Sequence, residues 1–164
     1  MDTFQITLVS ATLLCSLVAG FVFAFACVAM PGIGTLGNRE FLQSFRVMDR
    51  VIQNNQPLFI LVWAGSAATL LLSAVLGFSH LAGLDRVLLL VAAVVYFAGV
   101  QLPTLAINVP LNNQLQTLEL GEMGDDALAA ARAGFEPRWN RWNRIRTVLG
   151  VVTSVLLIVL VLRL

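Results

Sequence analysis

Four stretches of this 164-residue chain are long and apolar enough to cross a bilayer: residues 4–30, 58–78, 87–107 and 145–162. A membrane span needs roughly 20 consecutive apolar residues. In hydrocarbon the backbone must satisfy its own hydrogen bonds, so each such stretch reads as a helix. The first three carry no charge, and the fourth carries only Arg146, next to its start. Hydrophobic residues make up 59% of the chain, above the roughly 45–50% of soluble domains. The expected fold is all-α: an integral membrane antiparallel four-helix bundle, a single domain over residues 1–164, with a short amphipathic helix after the first span.

Charge sets the expected orientation. With four spans, both termini share one side with loop 79–86, and loops 33–57 and 112–144 share the other. The second side carries Arg39, Arg46, Arg50, Arg132, Arg138, Arg141 and Arg144, with Arg146 at its edge; the first carries Arg86 and Arg163. The positive-inside rule then puts the long loops in the cytoplasm and both termini outside, across a bacterial inner membrane. The N-terminal stretch lacks the basic start of a signal peptide and is too apolar for too long, so it reads as a retained first helix. A net charge of +1 gives no reason to expect a nucleic-acid partner. Cys15 and Cys27 lack metal or redox spacing and read as buried, inert thiols.

Proline and glycine in Met30-Pro31-Gly32-Ile33-Gly34 should end the first helix. In 40–54, Phe41, Phe45, Met48 and Ile52 recur at helical spacing, so this segment should lie at the interface or cap the bundle. Asn54-Asn55-Gln56-Pro57 should break it and open the second span. There Ser66, Thr69 and Ser73 form a small-residue seam, with Gly20 and Ala24 a similar pair in the first span. Gly124-Asp125-Asp126 should start a short surface helix through Ala133.

The third span is the unusual one. Gln101, Thr104, Asn108 and Asn112 fall on one helical face, and Pro103 and Pro110 interrupt the same segment. Each proline frees a carbonyl, which a membrane tolerates only where neighbours, water or a cavity satisfy it. The pattern predicts a cavity near the cytoplasmic end. Entering the fourth span, Trp139, Trp142, Asn143 and Arg146 share a second face. Topology brings four helix ends together here, so Met30, Asn54, Asn108, Asn112, Trp139, Asn143 and Arg146 should converge, with Trp142 beside them. An aromatic belt with arginines reaching the headgroups would explain the Trp and Arg but not Asn143.

Two segments carry a family resemblance. Asn108-Val109-Pro110-Leu111-Asn112, followed by Arg138-Trp139-Asn140-Arg141-Trp142-Asn143-Arg144-Ile145-Arg146-Thr147, resembles the anthrone oxygenase-like membrane proteins. Val28-Ala29-Met30-Pro31-Gly32 and 41–52 are similar to that family's first-helix end and following segment. The resemblance implies oxidation of an activated ring carbon with dioxygen, as fungal members convert an anthrone to an anthraquinone.

For such chemistry the chain needs a base and a group that stabilises the resulting anion. Arg146 suits the second role. Asn108 and Asn143 can bond the reacting oxygens, and Asp49 is the candidate base. Asn112, Trp139, Trp142, Gln101, Met30 and Asn54 are the candidate substrate contacts, the tryptophans by stacking on a planar ring system. No metal-ligand set or haem motif is evident, and His80, the single histidine, lies in the opposite loop. An external quinone, flavin or haem remains open as a borrowed cofactor. The expected partners are membrane lipids, a hydrophobic small-molecule substrate and a second copy in a homo-oligomer. The competing reading is a non-catalytic protein that binds a lipid or quinone, or scaffolds another membrane protein.

Overall fold

A computed structural model describes residues 2–164. Every element among them is helical. Four helices are long and apolar enough to cross a membrane: α1 (Thr3–Gly34), α3 (Pro57–His80), α4 (Gly83–Gln116) and α5 (Asp125–Arg163). Between the first two lies α2 (Asn38–Gln53). The long helices form a ring in which α1 packs on α3 and α5, and α4 closes it against α5 and α3. Their outer faces are apolar and exposed, as at Leu13, Leu72, Val94 and Val155. This is compatible with an integral membrane protein.

Connections at one end are fixed by Phe4 stacked on His80 (5.3 Å between centroids) and by Arg163 bound to Asp85 (2.5 Å). At the other end, arginines bind carbonyls that helix ends leave without partners. Arg132 donates to the Gly34 and Leu36 carbonyls after α1 (both 2.8 Å). Arg46 donates to the Gln116 and Leu118 carbonyls after α4 (3.3 and 2.7 Å). Arg39 holds the carbonyls of Leu120 and Met123. Three of the arginines that set the expected orientation therefore also staple this end together.

The first helix ends at Gly34, within the expected Met30–Gly34 segment, although Pro31 itself is carried inside its last turns; Pro103 and Pro110 lie inside a third helix that continues past both. Each proline follows a π turn by two residues: Phe25–Ala29, Phe97–Gln101 and Thr104–Asn108. In these turns Met30, Leu102 and Val109 donate to the carbonyl five residues back. The wider turn gives the proline ring room and lets the helix continue. Loop 112–144 is likewise mostly helix. The third helix runs to Gln116, and the expected surface helix at 125–133 is the first part of α5, which continues through Pro137.

Packing differs from the expected seams in two places. Gly20 and Ala24 face outward; Ala11, Cys15 and Ala19 are the small residues facing in, and Gly150 of α5 lies against Ala19. A Cβ on Gly150 would meet the Ala19 Cβ at 3.3 Å and its Cα at 3.4 Å, so glycine sets how closely α1 and α5 approach. Cys27, expected buried, is exposed, whereas Cys15 is buried as expected. Ser66 and Ser73 are buried on the inner face of α3, and Ser66 bonds the Tyr96 hydroxyl (2.6 Å).

The amphipathic segment caps the bundle. α2 buries Phe41, Leu42, Phe45 and Asp49, while Met48 and Ile52 are half-buried. The Asn54–Pro57 break is built as its residues dictate. Asn54 caps the end of α2, Asn55 adopts φ 59, and Gln56 accepts the Phe59 amide (2.7 Å) ahead of Pro57. Two apolar clusters result. One lies between the long helices around Leu8, Leu89, Tyr96 and Leu157; the other lies under α2 around Met30, Phe41, Leu128 and Trp139. The polar residues collect where the two meet.

Candidate functional site

A cavity of about 290 Å3 lies at that junction, lined by all five helices. Its walls divide by chemistry. Six aromatic side chains contribute: Phe21, Phe25, Phe45, Phe59, Trp63 and Trp139. Trp139 packs against Phe25 (5.7 Å between centroids) and Phe45 (5.1 Å), and Trp63 stacks on Phe59 (5.4 Å). Such a wall suits a flat apolar molecule.

The polar wall is a ladder on α4. Thr104, Asn108, Asn112 and Gln116 recur every fourth residue and project along one face. Thr104 accepts a hydrogen bond from Arg146 Nη1 (2.9 Å). Asn108 Nδ2 lies 3.4 Å from the Trp139 carbonyl. This contact orients the amide, because reversing it would set two oxygens against each other. Asn112 donates to Asp49 Oδ1 (2.7 Å) and accepts from Trp139 Nε1 (2.8 Å). Gln116 donates to Asp49 Oδ2 (2.8 Å) and to the Arg46 carbonyl (3.1 Å).

Each end of the ladder holds one charge. Arg146 is 5% exposed and has no carboxylate within salt-bridge distance. Its Nη2 donates to Asn143 Oδ1 (2.9 Å), and Asn143 Nδ2 donates to the Val22 carbonyl (3.0 Å), next to the first π turn. The guanidinium also lies 5.7 Å from the Trp139 ring. Asp49 is 4% exposed and accepts from Gln53, Asn112 and Gln116. No arginine pairs with it. A carboxylate has about four acceptor positions, so these three donors leave one open. Thr104 and Asn112 are two rungs apart, which at 1.5 Å per residue separates the charged ends by about 12 Å along the helix.

Among the described residues, two buried polar atoms on cavity-lining residues have no partner: Asn108 Oδ1 and Arg146 Nε. Leaving such an atom unsatisfied costs about 1–3 kcal/mol, more for a charged group. They form an acceptor and a donor on neighbouring residues around Thr104 and Asn143. No group of three or more His, Cys, Asp or Glu side chains positioned to hold a metal ion occurs among the described residues.

A family model described as anthrone oxygenase matches residues 45–156. The chain belongs to the anthrone oxygenase family. No curated protein and no solved structure matches it. The anthrone oxygenase match contains Asp49, Asn108, Asn112, Trp139, Asn143 and Arg146, and leaves out all of α1. In this family member, α1 therefore adds mainly the aromatic wall of Phe21 and Phe25 and the Val22 carbonyl that fixes Asn143.

The cavity brings together Asp49, Asn108, Asn112, Trp139, Asn143 and Arg146. Trp142, expected beside them, is half-buried outside it. Met30 is in the apolar cluster under α2, and Asn54 is exposed at the end of α2. Gln101 is buried one π turn deeper, accepting from Trp63 (2.9 Å) and donating to Tyr96 (3.2 Å). Thr104, Gln53, Gln116 and Trp63 were not among the candidates. Gln116 continues the four-residue spacing of the ladder, so its signal was present.

Proposed function

We propose that this protein is a membrane oxygenase that oxidises an electron-rich aromatic, anthrone-like or hydroquinone-like, with dioxygen inside the five-helix cavity. The observation that carries this reading is the unpartnered pair Asn108 Oδ1 and Arg146 Nε beside an aromatic wall. A ring hydroxyl or enol can donate to the first, and an enolate oxygen can accept from the second. A planar apolar body fits between Phe25, Phe45, Phe59, Trp63 and Trp139.

The chemistry follows from the two charged ends. Asp49 takes a proton from the activated ring carbon, and the electron pair left behind spreads onto the ring oxygen. Arg146 stabilises that oxyanion. The anion gives one electron to dioxygen, and the ring radical and superoxide combine into a peroxide anion on the same carbon, which takes the proton back from Asp49 to become a hydroperoxide. Loss of the second proton from that carbon breaks the O–O bond. One oxygen remains as the new ketone and the other leaves as water. Family membership supports the reaction type, and the site supports the role of each residue.

Aerobic incubation of anthrone with the protein in lipid nanodiscs should consume one dioxygen per anthraquinone formed, faster than nanodiscs alone. Saturable anthrone binding with no added oxygen uptake would instead favour the non-catalytic ligand-binding reading.

The proposed orientation has both termini outside and the cavity near the cytoplasmic face, supported by the eight-to-two division of arginines. Cysteines introduced at Asp2, Glu122 and Leu164, all exposed, test it in intact cells. An impermeant maleimide should label the two terminal positions and spare Glu122; the opposite pattern inverts the orientation.

A further inference from the structure

The cavity has two sides on which the helices could part. At its polar end, Gln53 of α2 donates to Asn113 of α4 (3.2 Å), next to the cluster around Asp49. On its flank, α3 packs on α4 mainly along Gly83–Tyr96, and the packing thins beside the π turns. Beyond Tyr96, the one side-chain hydrogen bond between α3 and α4 among the described residues is Trp63 to Gln101. Leu105 and Val109 line the cavity, yet they are 66% and 38% exposed. A residue that does both marks a rim. This rim is apolar and lies on the outer face of a helix apolar enough to span a membrane. The gap therefore faces acyl chains.

We propose that the α3–α4 gap is a lateral portal through which a membrane-dissolved planar aromatic enters from the hydrocarbon phase, with the Trp63–Gln101 bond as its latch. The inference rests on reading the cavity as the substrate site, and it narrows the substrate to a lipid-partitioned molecule. Opening the latch breaks one neutral hydrogen bond: Gln101 Nε2 stays on the Tyr96 hydroxyl, while Gln101 Oε1 and Trp63 Nε1 lose each other, a cost that draws the latch closed again behind the ligand. An incoming ring passes Leu105 and the Trp63–Phe59 stack before its polar edge reaches Arg146. A lipid-dissolved substrate arrives with little water, and the low dielectric strengthens the oxyanion's contact with the guanidinium.

The test needs no substrate. Trp139 is 4% exposed and sits deep in the cavity. In a W63F/W142F variant it is the single tryptophan, and its fluorescence is measured in vesicles of phosphatidylcholine brominated at mid-chain. Bromolipid should quench Trp139, acrylamide in the water should quench it weakly, and Leu105→Phe or Val109→Phe should remove most of the bromolipid quenching. Quenching by acrylamide alone, by neither agent, or by bromolipid with no response to the rim substitutions would overturn the portal. If the double variant does not fold, the difference in quenching between the parent protein and Trp139→Phe gives the same readout. Bromolipid quenching without anthrone turnover would defeat the oxygenase reading and leave the portal standing, so the two failures are separable.

Discussion

Replacing Arg146 by methionine is expected to abolish turnover while leaving thermal stability at or above that of the parent protein. Arg146 is a buried cation without a carboxylate partner, held by Thr104, Asn143 and the Trp139 ring. Burying a charge costs several kcal/mol, and apolar replacement of buried ionic groups is often neutral or stabilising. Methionine fills most of the space and removes that cost, which outweighs the about 1–3 kcal/mol of leaving Asn143 Oδ1 without its donor. On the proposed reading, an anion bound beside the guanidinium offsets the cost of burying it. Losing an oxyanion-stabilising donor lowers the catalytic rate by about 100- to 1000-fold. Arg146→Lys should also be impaired. An ammonium cannot hold Thr104 and Asn143 and still present a further donor as Arg146 Nε does, and losing that one charged hydrogen bond to the anion is worth about 1.5–3 kcal/mol, or roughly 10- to 100-fold. The measurements are anthrone turnover in nanodiscs and unfolding temperature in detergent. A fully active lysine variant, with a destabilised methionine variant, would mean that Arg146 only anchors α5.

Much of this arrangement was legible before any coordinates, for identifiable reasons. The spans follow from the length of the apolar runs. The α4 ladder follows from helical spacing, because Thr104, Asn108 and Asn112 stay on one face despite two prolines. What the spacing did not reveal was that the π turns would absorb those prolines. A wider turn leaves no mark in the pattern, so proline read as a stop at Pro31 and as a source of free carbonyls at Pro103. The loop before α5 is drawn to 144 because the apolar run starts there, whereas the helix itself begins at Asp125 and carries Gly134 and Pro137 inside its 39 residues. Trp142 was misplaced for another reason. Two tryptophans three residues apart lie about 60° apart around an α-helix, close enough to share an apparent face and far enough for one to miss the cavity. The aromatic wall was hardest to foresee, because it draws single residues from separate helices and only packing brings them together.

Asp49→Asn should lower the catalytic rate constant by about 100- to 10,000-fold, the usual contribution of a general base, with little change in substrate affinity. The carboxylate faces the cavity with one acceptor position free, and the other three are filled by amides. Those amides do more than satisfy it. Gln53 comes from the same helix, whereas Asn112 and Gln116 come from α4, so Asp49 also ties α2 to the ladder. Asparagine keeps the shape but turns one of its two acceptor groups into a donor, facing amides that already donate. Some loss of thermal stability is therefore expected, and the rate effect must be separated from it. A more acidic anthrone, carrying electron-withdrawing substituents and already ionised in solution, supplies that separation. It needs no base, so the asparagine variant should oxidise it at close to the parent rate while remaining slow on anthrone. If both substrates slow equally, or if affinity falls and the rate constant does not, Asp49 positions α2 and another group takes the proton. Recovery confined to the pre-ionised substrate assigns proton removal to Asp49 and leaves Arg146, at the far end of the ladder, as the group that holds the resulting charge.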